Sequence, residues 1–177
     1  MTDKIFDSIV GMEEEKAVQL AKEYLDGGGE IFKSIMEITL PLLEEGEVEK
    51  LGKIVLGTVK DDIHDIGKDI FKAFAQAAGF EVIDIGVDAP AEKFVEAVKE
   101  HKPDIVGMSC LITAGINPMK ETVDALKKAG LTDPKIIIGG GRVDEEIMKF
   151  AGADAWADDA AKGVRLCKEL IGIGAEV

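Results

Sequence analysis

The chain of 177 residues is 46% hydrophobic and 5% aromatic, which suits one domain with an aliphatic core and a small appendage. Its 21 basic and 35 acidic residues give a formal net charge of −14, which repels nucleic-acid phosphates and anionic membrane surfaces. The start, MTDKIFDSIV, has no basic segment followed by an apolar run, and no stretch approaches the roughly 18 apolar residues of a membrane span. We predict a cytoplasmic protein that binds neither nucleic acid nor membranes.

The two cysteines, Cys110 and Cys167, are far apart in the sequence and form no CxxC pair. They therefore indicate neither a disulfide framework nor a cysteine zinc site. We interpret both as small buried hydrophobic residues.

Residues 1 to 52 carry 13 acidic residues and 5 lysines, more than half of the net charge. Apolar side chains at helical spacing predict a first helix that ends at Gly27-Gly28-Gly29, and a second whose apolar face is too wide for a solitary helix. Pro41 is expected to kink or end the second helix, and residues 44–52 are typical of a solvated connector. The apolar positions are Ala17, Leu20, Ala21 and Tyr24 in the first helix, and Ile31, Phe32, Ile35, Met36, Ile38, Leu42 and Leu43 in the second.

From Lys53 onward, short apolar runs alternate with amphipathic stretches, as in βαβ units around a parallel sheet. Strands this apolar predict a doubly wound α/β domain over residues 53–177, with the flavodoxin-like strand order 2-1-3-4-5. In that order the ligand crevice lies where the loops after strands 1 and 3 diverge. The predicted strands are Lys53 to Val59, Glu81 to Ile85, Asp104 to Ser109, Lys135 to Ile138 and Ala155 to Ala157. The predicted helices are Ile66 to Ala78, Ala91 to Glu100, Pro118 to Ala129, Glu145 to Ala151 and Ala160 to Ile171.

The loop after the first strand, DDIHDIGK from Asp61 to Lys68, brings an imidazole and several carboxylates to the predicted crevice. If Asp62 accepts a hydrogen bond from one ring nitrogen of His64, the other nitrogen is fixed as a lone-pair donor, as in an oriented metal ligand. A histidine in an acidic loop is also commonly a solvated or capping residue. Asp65 could cap the following helix, and Gly67 permits close approach of a ligand or of backbone.

Hydroxyls and glycines follow the third and fourth strands. Ser109 and Thr113, in the segment SCLITAG, could hydrogen-bond a ligand or serve as caps and turn residues. The run GGG at residues 139–141 could let a bulky planar group lie against the sheet edge, or form a tight turn. It lacks the continuation of a P-loop, so it does not indicate a nucleotide phosphate site.

The pattern Asp62-x-His64-x-x-Gly67, followed by Ser109-x-Leu111 and the glycines, resembles the signature of the cobalamin-binding domain family over residues 53 to 170. The segments GTVKDDIHDIGKDI and GFEVIDIGVDAP are especially similar to corrinoid proteins of methyltransferase systems. The resemblance implies cobalamin bound base-off, with His64 as lower cobalt ligand and Asp62 orienting it, while the displaced nucleotide tail threads into the domain. The cofactor-binding residues that it implies are Asp62, His64, Asp65, Ile66, Gly67, Ser109, Leu111, Thr113, Gly139, Gly140 and Gly141.

The resemblance also implies a methyl shuttle, in which cobalt cycles between Co(I) and methyl-Co(III). Its partners would be a donor-specific methyltransferase, an acceptor methyltransferase acting on tetrahydrofolate or a thiol, and a reductive activator. The pattern leaves the donor open among methoxyaromatics, methanol, methylamines and betaines. The protein alone would not catalyse the reaction, because no group for donor activation is evident.

Two departures from the family pattern are present. Some members have a serine two residues beyond the threonine, and Gly115 stands there, which puts a proton relay in doubt. The segment of residues 1–52 is also short for the four-helix cap of these corrinoid proteins. We therefore expect a shortened cap, with the upper corrinoid face partly open or covered by a partner or a second copy.

Three other interpretations compete. The small subunit of an adenosylcobalamin mutase shares the histidine motif, although helical sequence before the first strand disfavours it. A cobalamin-dependent sensor would need a protein partner, since no DNA-binding motif is evident. A flavodoxin-like phosphoacceptor domain would use Asp61 and Asp62 as acidic-pocket residues.

Overall fold

A computed structural model of the protein describes residues 50–173. All of them belong to the second of the two units into which the chain divides, residues 1–48 and 49–177. The two helices predicted before residue 44, their apolar faces and most of the connector lie outside the described residues.

Five strands and five α-helices alternate along the described residues. The strands are β1 (Gly52–Thr58), β2 (Phe80–Asp84), β3 (Ile105–Ser109), β4 (Lys135–Gly139) and β5 (Ala155–Ala157). The helices are α1 (Ile66–Ala77), α2 (Ala91–His101), α3 (Ile116–Lys128), α4 (Glu145–Ala151) and α5 (Ala160–Leu170). Each of these bounds lies within two residues of the predicted one. A 3₁₀ turn at Thr113–Gly115, which the sequence did not predict, leads directly into α3.

The five strands form one parallel sheet in the order β2-β1-β3-β4-β5. This confirms the predicted doubly wound, flavodoxin-like fold. The apolar strands explain it, because a parallel sheet must be covered by helices on both faces.

Two clusters of buried side chains lie around the sheet. The larger contains Val55, Val106 and Ile138, and the smaller contains Ile54, Ile105 and Ile137, so alternate residues of the same strands enter different clusters. Cys110 belongs to the first cluster and Cys167 to the second, and both are buried free thiols as predicted. No helix among residues 50–173 is long and apolar enough to cross a membrane.

Candidate functional site

The sheet register brings three loops together at the carboxyl edge. Thr58 of β1 pairs with Ser109 of β3, and Ser109 pairs with Gly139 of β4. The chain leaves the sheet just after this row, so the loops that carry the histidine, the hydroxyls and the glycines begin side by side. The separate segments predicted to form one site are therefore neighbours in space.

The carboxylate of Asp62 is fully buried, and both of its oxygens accept hydrogen bonds. Oδ1 lies 3.0 Å from the backbone nitrogen of His64 and 2.6 Å from its Nδ1. Oδ2 lies 2.6 Å from the backbone nitrogen of Leu111 and 3.3 Å from that of Ile112. Asp62 thereby ties the loop after β1 to the loop after β3.

These hydrogen bonds keep Asp62 ionised. Burial alone would raise the pKa of its carboxyl group, but hydrogen bonds from the two His64 nitrogens and from the Leu111 and Ile112 amides outweigh burial. The pKa falls from an ordinary value of 3.8 to about 2. An acidic-pocket role for this residue, as in a phosphoacceptor domain, is disfavoured because its oxygens are already engaged.

The ionised carboxylate determines which nitrogen of His64 carries a proton. A carboxylate can only accept, so the neutral imidazole must be protonated at Nδ1 and must keep its lone pair at Nε2. The side chain of His64 is 49% exposed, and within residues 50–173 its Nε2 has no hydrogen-bond partner. The backbone of His64 is fixed as well, because the buried Thr58 hydroxyl donates to its carbonyl oxygen at 3.0 Å. The predicted geometry of an oriented nitrogen ligand is thus present.

The predicted capping roles are not present. Asp65 stands at the N-cap position of α1, but its side chain accepts no hydrogen bond from the helix, so that interpretation was wrong. The two helical segments after β3 have Ile112 and Gly115 at their N-cap positions. Neither Ser109 nor Thr113 stands at such a position. The hydroxyls of Ser109 and Thr113 make no hydrogen bond to any part of residues 50–173. Both therefore remain able to bind a ligand.

The glycines at the edge have different surroundings. Gly140 has φ +119, and a side chain there would overlap the Cys110 carbonyl oxygen. A Cβ on Gly141 would lie 2.7 Å from Leu111, whereas one on Gly139 would meet only the Ala157 carbonyl oxygen, at 3.5 Å. Gly67 faces open space, with no atom within 4 Å of a Cβ placed there. Gly140 is thus required by the fold, whereas Gly67 keeps a space open.

Gly115 cannot be exchanged for the family's serine without a shift. Gly115 is buried, and a Cβ there would lie 2.5 Å from the Cys110 sulfur and 3.0 Å from Val59. A serine at this place would therefore require the side chain of Cys110 to move.

Apolar side chains are exposed around the histidine. Ile63 and Ile66 are 72% and 74% exposed, and Leu111 is 42% exposed. The sequence motif included Ile66 and Leu111 but missed Ile63. Its signal was an isoleucine in an otherwise acidic loop, where a purely solvated turn would not need one.

The hydrogen bonds to Asp62 predict a pH dependence of stability. A pKa that is lower in the folded state than in the unfolded state stabilises the fold above pH 4, and this contribution is lost as the pH falls toward 2. We expect the free energy of unfolding to fall by about 2 kcal/mol over this range through Asp62, and Asp62→Asn to remove that part of the decrease. Urea unfolding followed by the fluorescence of Trp156 measures it. Asp124→Asn, on the exposed pair with Lys120, is the control. Parallel pH curves for the wild type and Asp62→Asn would contradict the prediction.

Residues 52–165 match the B12 binding domain family. The matched span contains Asp62, His64 and all three loops of the carboxyl edge. The chain belongs to the B12-binding domain family. Its cofactor is cobalamin.

Relatives and solved structures agree with this assignment. Dimethylamine corrinoid protein 1 of Methanosarcina acetivorans is 38% identical over 155 residues, covering 87% of this chain and 70% of that protein. A cobalamin-binding protein from Desulfitobacterium hafniense has a crystal structure with a TM-score of 0.70 and 32% identity, covering 97% of this chain and 99% of that one. A methanol:cobalamin methyltransferase complex from Methanosarcina barkeri contains a chain with a TM-score of 0.67 and 23% identity, covering 95% of this chain and 78% of that one. The last likeness shows a shared fold.

The described residues of the B12-binding domain fit a corrinoid. A metal ion needs a neutral nitrogen with a free lone pair, and Nε2 of His64 supplies it. A large macrocycle needs open space and apolar contacts, which Gly67, Ile63 and Ile66 supply. Polar groups of the cofactor would need donors or acceptors, and the hydroxyls of Ser109 and Thr113 have no hydrogen-bond partner within residues 50–173.

Proposed function

We propose that this protein binds cobalamin base-off, with His64 as the lower axial ligand of cobalt, and carries a methyl group between two methyltransferases. One observation carries the proposal: a buried, ionised carboxylate lies 2.6 Å from Nδ1 of a half-exposed histidine. Metal-binding histidines are commonly oriented by such a carboxylate, which fixes the tautomer and raises the basicity of the ligating nitrogen.

The chain's own residues bind and orient the cofactor in this proposal. Asp62 holds the proton at Nδ1 of His64, and the hydroxyls of Ser109 and Thr113 bind the nucleotide tail. Leu111 and Ile66 supply apolar contact, and Gly67 leaves space. Residues 139–141 and Asp65 are the remaining residues proposed to contact the cofactor. When bound, cobalamin supplies a cobalt ion that accepts and releases a methyl group, which none of these side chains can do.

We further propose that the methyl donor is chosen by a partner enzyme. The similarity to a dimethylamine corrinoid protein favours a methylamine donor, and methanol and methoxyaromatics are the other candidates. The acceptor methyltransferase would use tetrahydrofolate or a thiol, and a reductive activator would restore the reduced cobalt. The methyl group would be carried on the corrinoid face opposite His64, and such enzymes would reach that face by turns. A second copy of the chain remains a candidate cover for the upper corrinoid face.

Methyl loading tests the proposal. Protein reconstituted with cobalamin and reduced is expected to take up close to one methyl group when a purified dimethylamine, methanol or methoxyaromatic methyltransferase is added with its donor. The absorption spectrum of the bound corrinoid reports the uptake, and methyl iodide serves as the chemical control. Retained cobalamin that reacts with methyl iodide but with none of the three enzymes would refute the donor classes named here. Failure to retain cobalamin would refute the binding site itself.

A further inference from the structure

A buried lysine near the site has no role in the proposed function. Lys68 lies in the first turn of α1, and its side chain is only 3% exposed, which is rare for lysine. Its ammonium group donates to Asp69 at 2.6 Å and to Asp84 at 2.7 Å. Lys72 adds a longer contact to Asp84, at 3.2 Å. The partly buried pair of Lys68 and Asp84 thus joins the start of α1 to the last residue of β2.

The Asp84 carboxylate, which pairs with Lys68, also organises the turn after β2. Oδ1 of Asp84 accepts a hydrogen bond from the Gly86 amide at 2.9 Å. The Gly86 carbonyl accepts from the Thr58 amide at 2.9 Å, and the Thr58 hydroxyl donates to the carbonyl of His64 at 3.0 Å. An unbroken series of contacts therefore runs from Lys68 to the backbone of His64.

The turn after β2 contacts the histidine loop at a second place. The Asp61 amide donates to the side chain of Asp88 at 2.8 Å, and the Asp88 amide donates to the Asp62 carbonyl at 2.9 Å. The loop is thus held from one side by this turn and from the other by the amides of Leu111 and Ile112. Lys68 is only four residues beyond His64. Its bond to Asp84 therefore closes a ring of contacts that runs through Gly86 and Thr58 back to His64.

We propose that Lys68 and Asp84 are positioning residues that hold the loop in the orientation His64 needs to bind cobalt, an inference that rests on the proposed role of His64. Neither touches the imidazole, and both act through Gly86 and Thr58. Loss of the ammonium group would leave the Asp84 carboxylate with the Gly86 amide and with Lys72, whose side chain is 34% exposed, so water would compete for the turn. The imidazole would keep Asp62 as a partner but would lose its fixed backbone.

The fraction of bound methylcobalamin that is ligated by histidine tests the proposal. At saturating cofactor, Lys68→Met is expected to weaken ligation about 10-fold relative to the wild type, the scale on which partners of a metal ligand act. Lys68→Arg keeps the charge and is expected to restore most of the ligation. Lys120→Met, which removes an exposed lysine paired with Asp124, is expected to leave it unchanged.

A second variant separates positioning from folding. Lys68→Met combined with Asp84→Leu removes both charges of the pair, so it leaves neither of them unpaired and is expected to fold. It also removes the acceptor of the Gly86 amide, so ligation is expected to fall as in the single variant. Wild-type ligation in the folded variants, with only a lower melting temperature, would overturn the proposal and leave a purely structural ion pair.

Amide exchange in the cofactor-free protein distinguishes failure of this inference from failure of the proposed function. The His64 amide, bonded to Asp62, is expected to exchange about 10-fold faster in Lys68→Met, because local opening of the loop becomes easier. Faster exchange without histidine ligation in the wild type would refute the role of His64 but support the positioning. Unchanged exchange would overturn the positioning whatever the cofactor does.

Discussion

His64→Ala protein reconstituted with methylcobalamin is expected to show the spectrum of a corrinoid without a nitrogen ligand from the protein, whereas the wild type shows the nitrogen-ligated form. The reason is that Nε2 of His64 is the exposed nitrogen whose lone pair Asp62 fixes, and alanine offers no donor. Affinity is expected to fall by at least about 10-fold, the loss that follows from removing even a partner of a metal ligand. Absorption spectra and equilibrium binding of methylcobalamin measure both effects.

The chain offers a matched control for this substitution. His101, at the end of α2, is the only other histidine in the sequence, and its Nε2 lies 3.9 Å from the exposed carboxylate of Glu100. His101→Ala is expected to keep the wild-type spectrum and affinity. Identical spectra for the wild type and His64→Ala would exclude His64 as the ligand, and so would a loss of ligation in His101→Ala alone.

Gly140→Ala is expected to destabilise the protein by about 3 kcal/mol or more. Two costs add: a φ of +119 is strained for any residue with a Cβ, and the new methyl group would overlap the Cys110 carbonyl oxygen. The nearest other atoms, the Cys110 carbonyl carbon and nitrogen at 2.7 and 3.0 Å, belong to the backbone and cannot rotate away. The free energy of unfolding in urea measures the loss.

Gly67→Ala is the control for this prediction, and it separates the two kinds of glycine in the motif. A Cβ on Gly67 meets no atom within 4 Å, and alanine favours the helix, so stability is expected to stay equal or rise by about 1 kcal/mol. Cobalamin affinity is expected to fall, because the methyl group enters the space proposed for the cofactor. Gly140→Ala protein with wild-type stability would contradict the predicted clash.

The fold could be predicted from the sequence because its signals are local. Buried strands such as β1 are continuous apolar runs, and each amphipathic helix marks a crossover, so the βαβ pattern follows. The predicted strand order was the common one for five such strands, and the structure has it. The 3₁₀ turn at Thr113–Gly115 was missed because three residues have no periodicity to detect. The early start of α3 was missed because Pro118 suggested a boundary, although proline fits the first turn of a helix.

The site could be predicted only in part, because several of its contacts join residues that are far apart in the sequence. The spacing allowed the pairing of Asp62 with His64, and the family resemblance implied it. The hydrogen bonds to the other carboxylate oxygen of Asp62 could not be predicted. Their donors are the backbone amides of Leu111 and Ile112, and almost any residue type has such an amide. The burial of Lys68 is also hidden in the sequence, since its partner Asp84 lies 16 residues away and a lysine in an acidic loop suggests exposure.

The tight packing of Gly115 against Cys110 has a consequence for proton movement. Glycine supplies no hydroxyl there, and Oδ2 of Asp62 accepts hydrogen bonds from two backbone amides, which do not give up their protons at neutral pH. The Asp62 carboxylate can therefore stabilise a positive charge on the imidazole, but it cannot pass a proton on to the other side of the loop. A proton that His64 gains or loses must therefore exchange with solvent at the exposed side of the imidazole. We expect the rate of ligand exchange to depend on solvent access and buffer concentration rather than on a proton relay inside the protein.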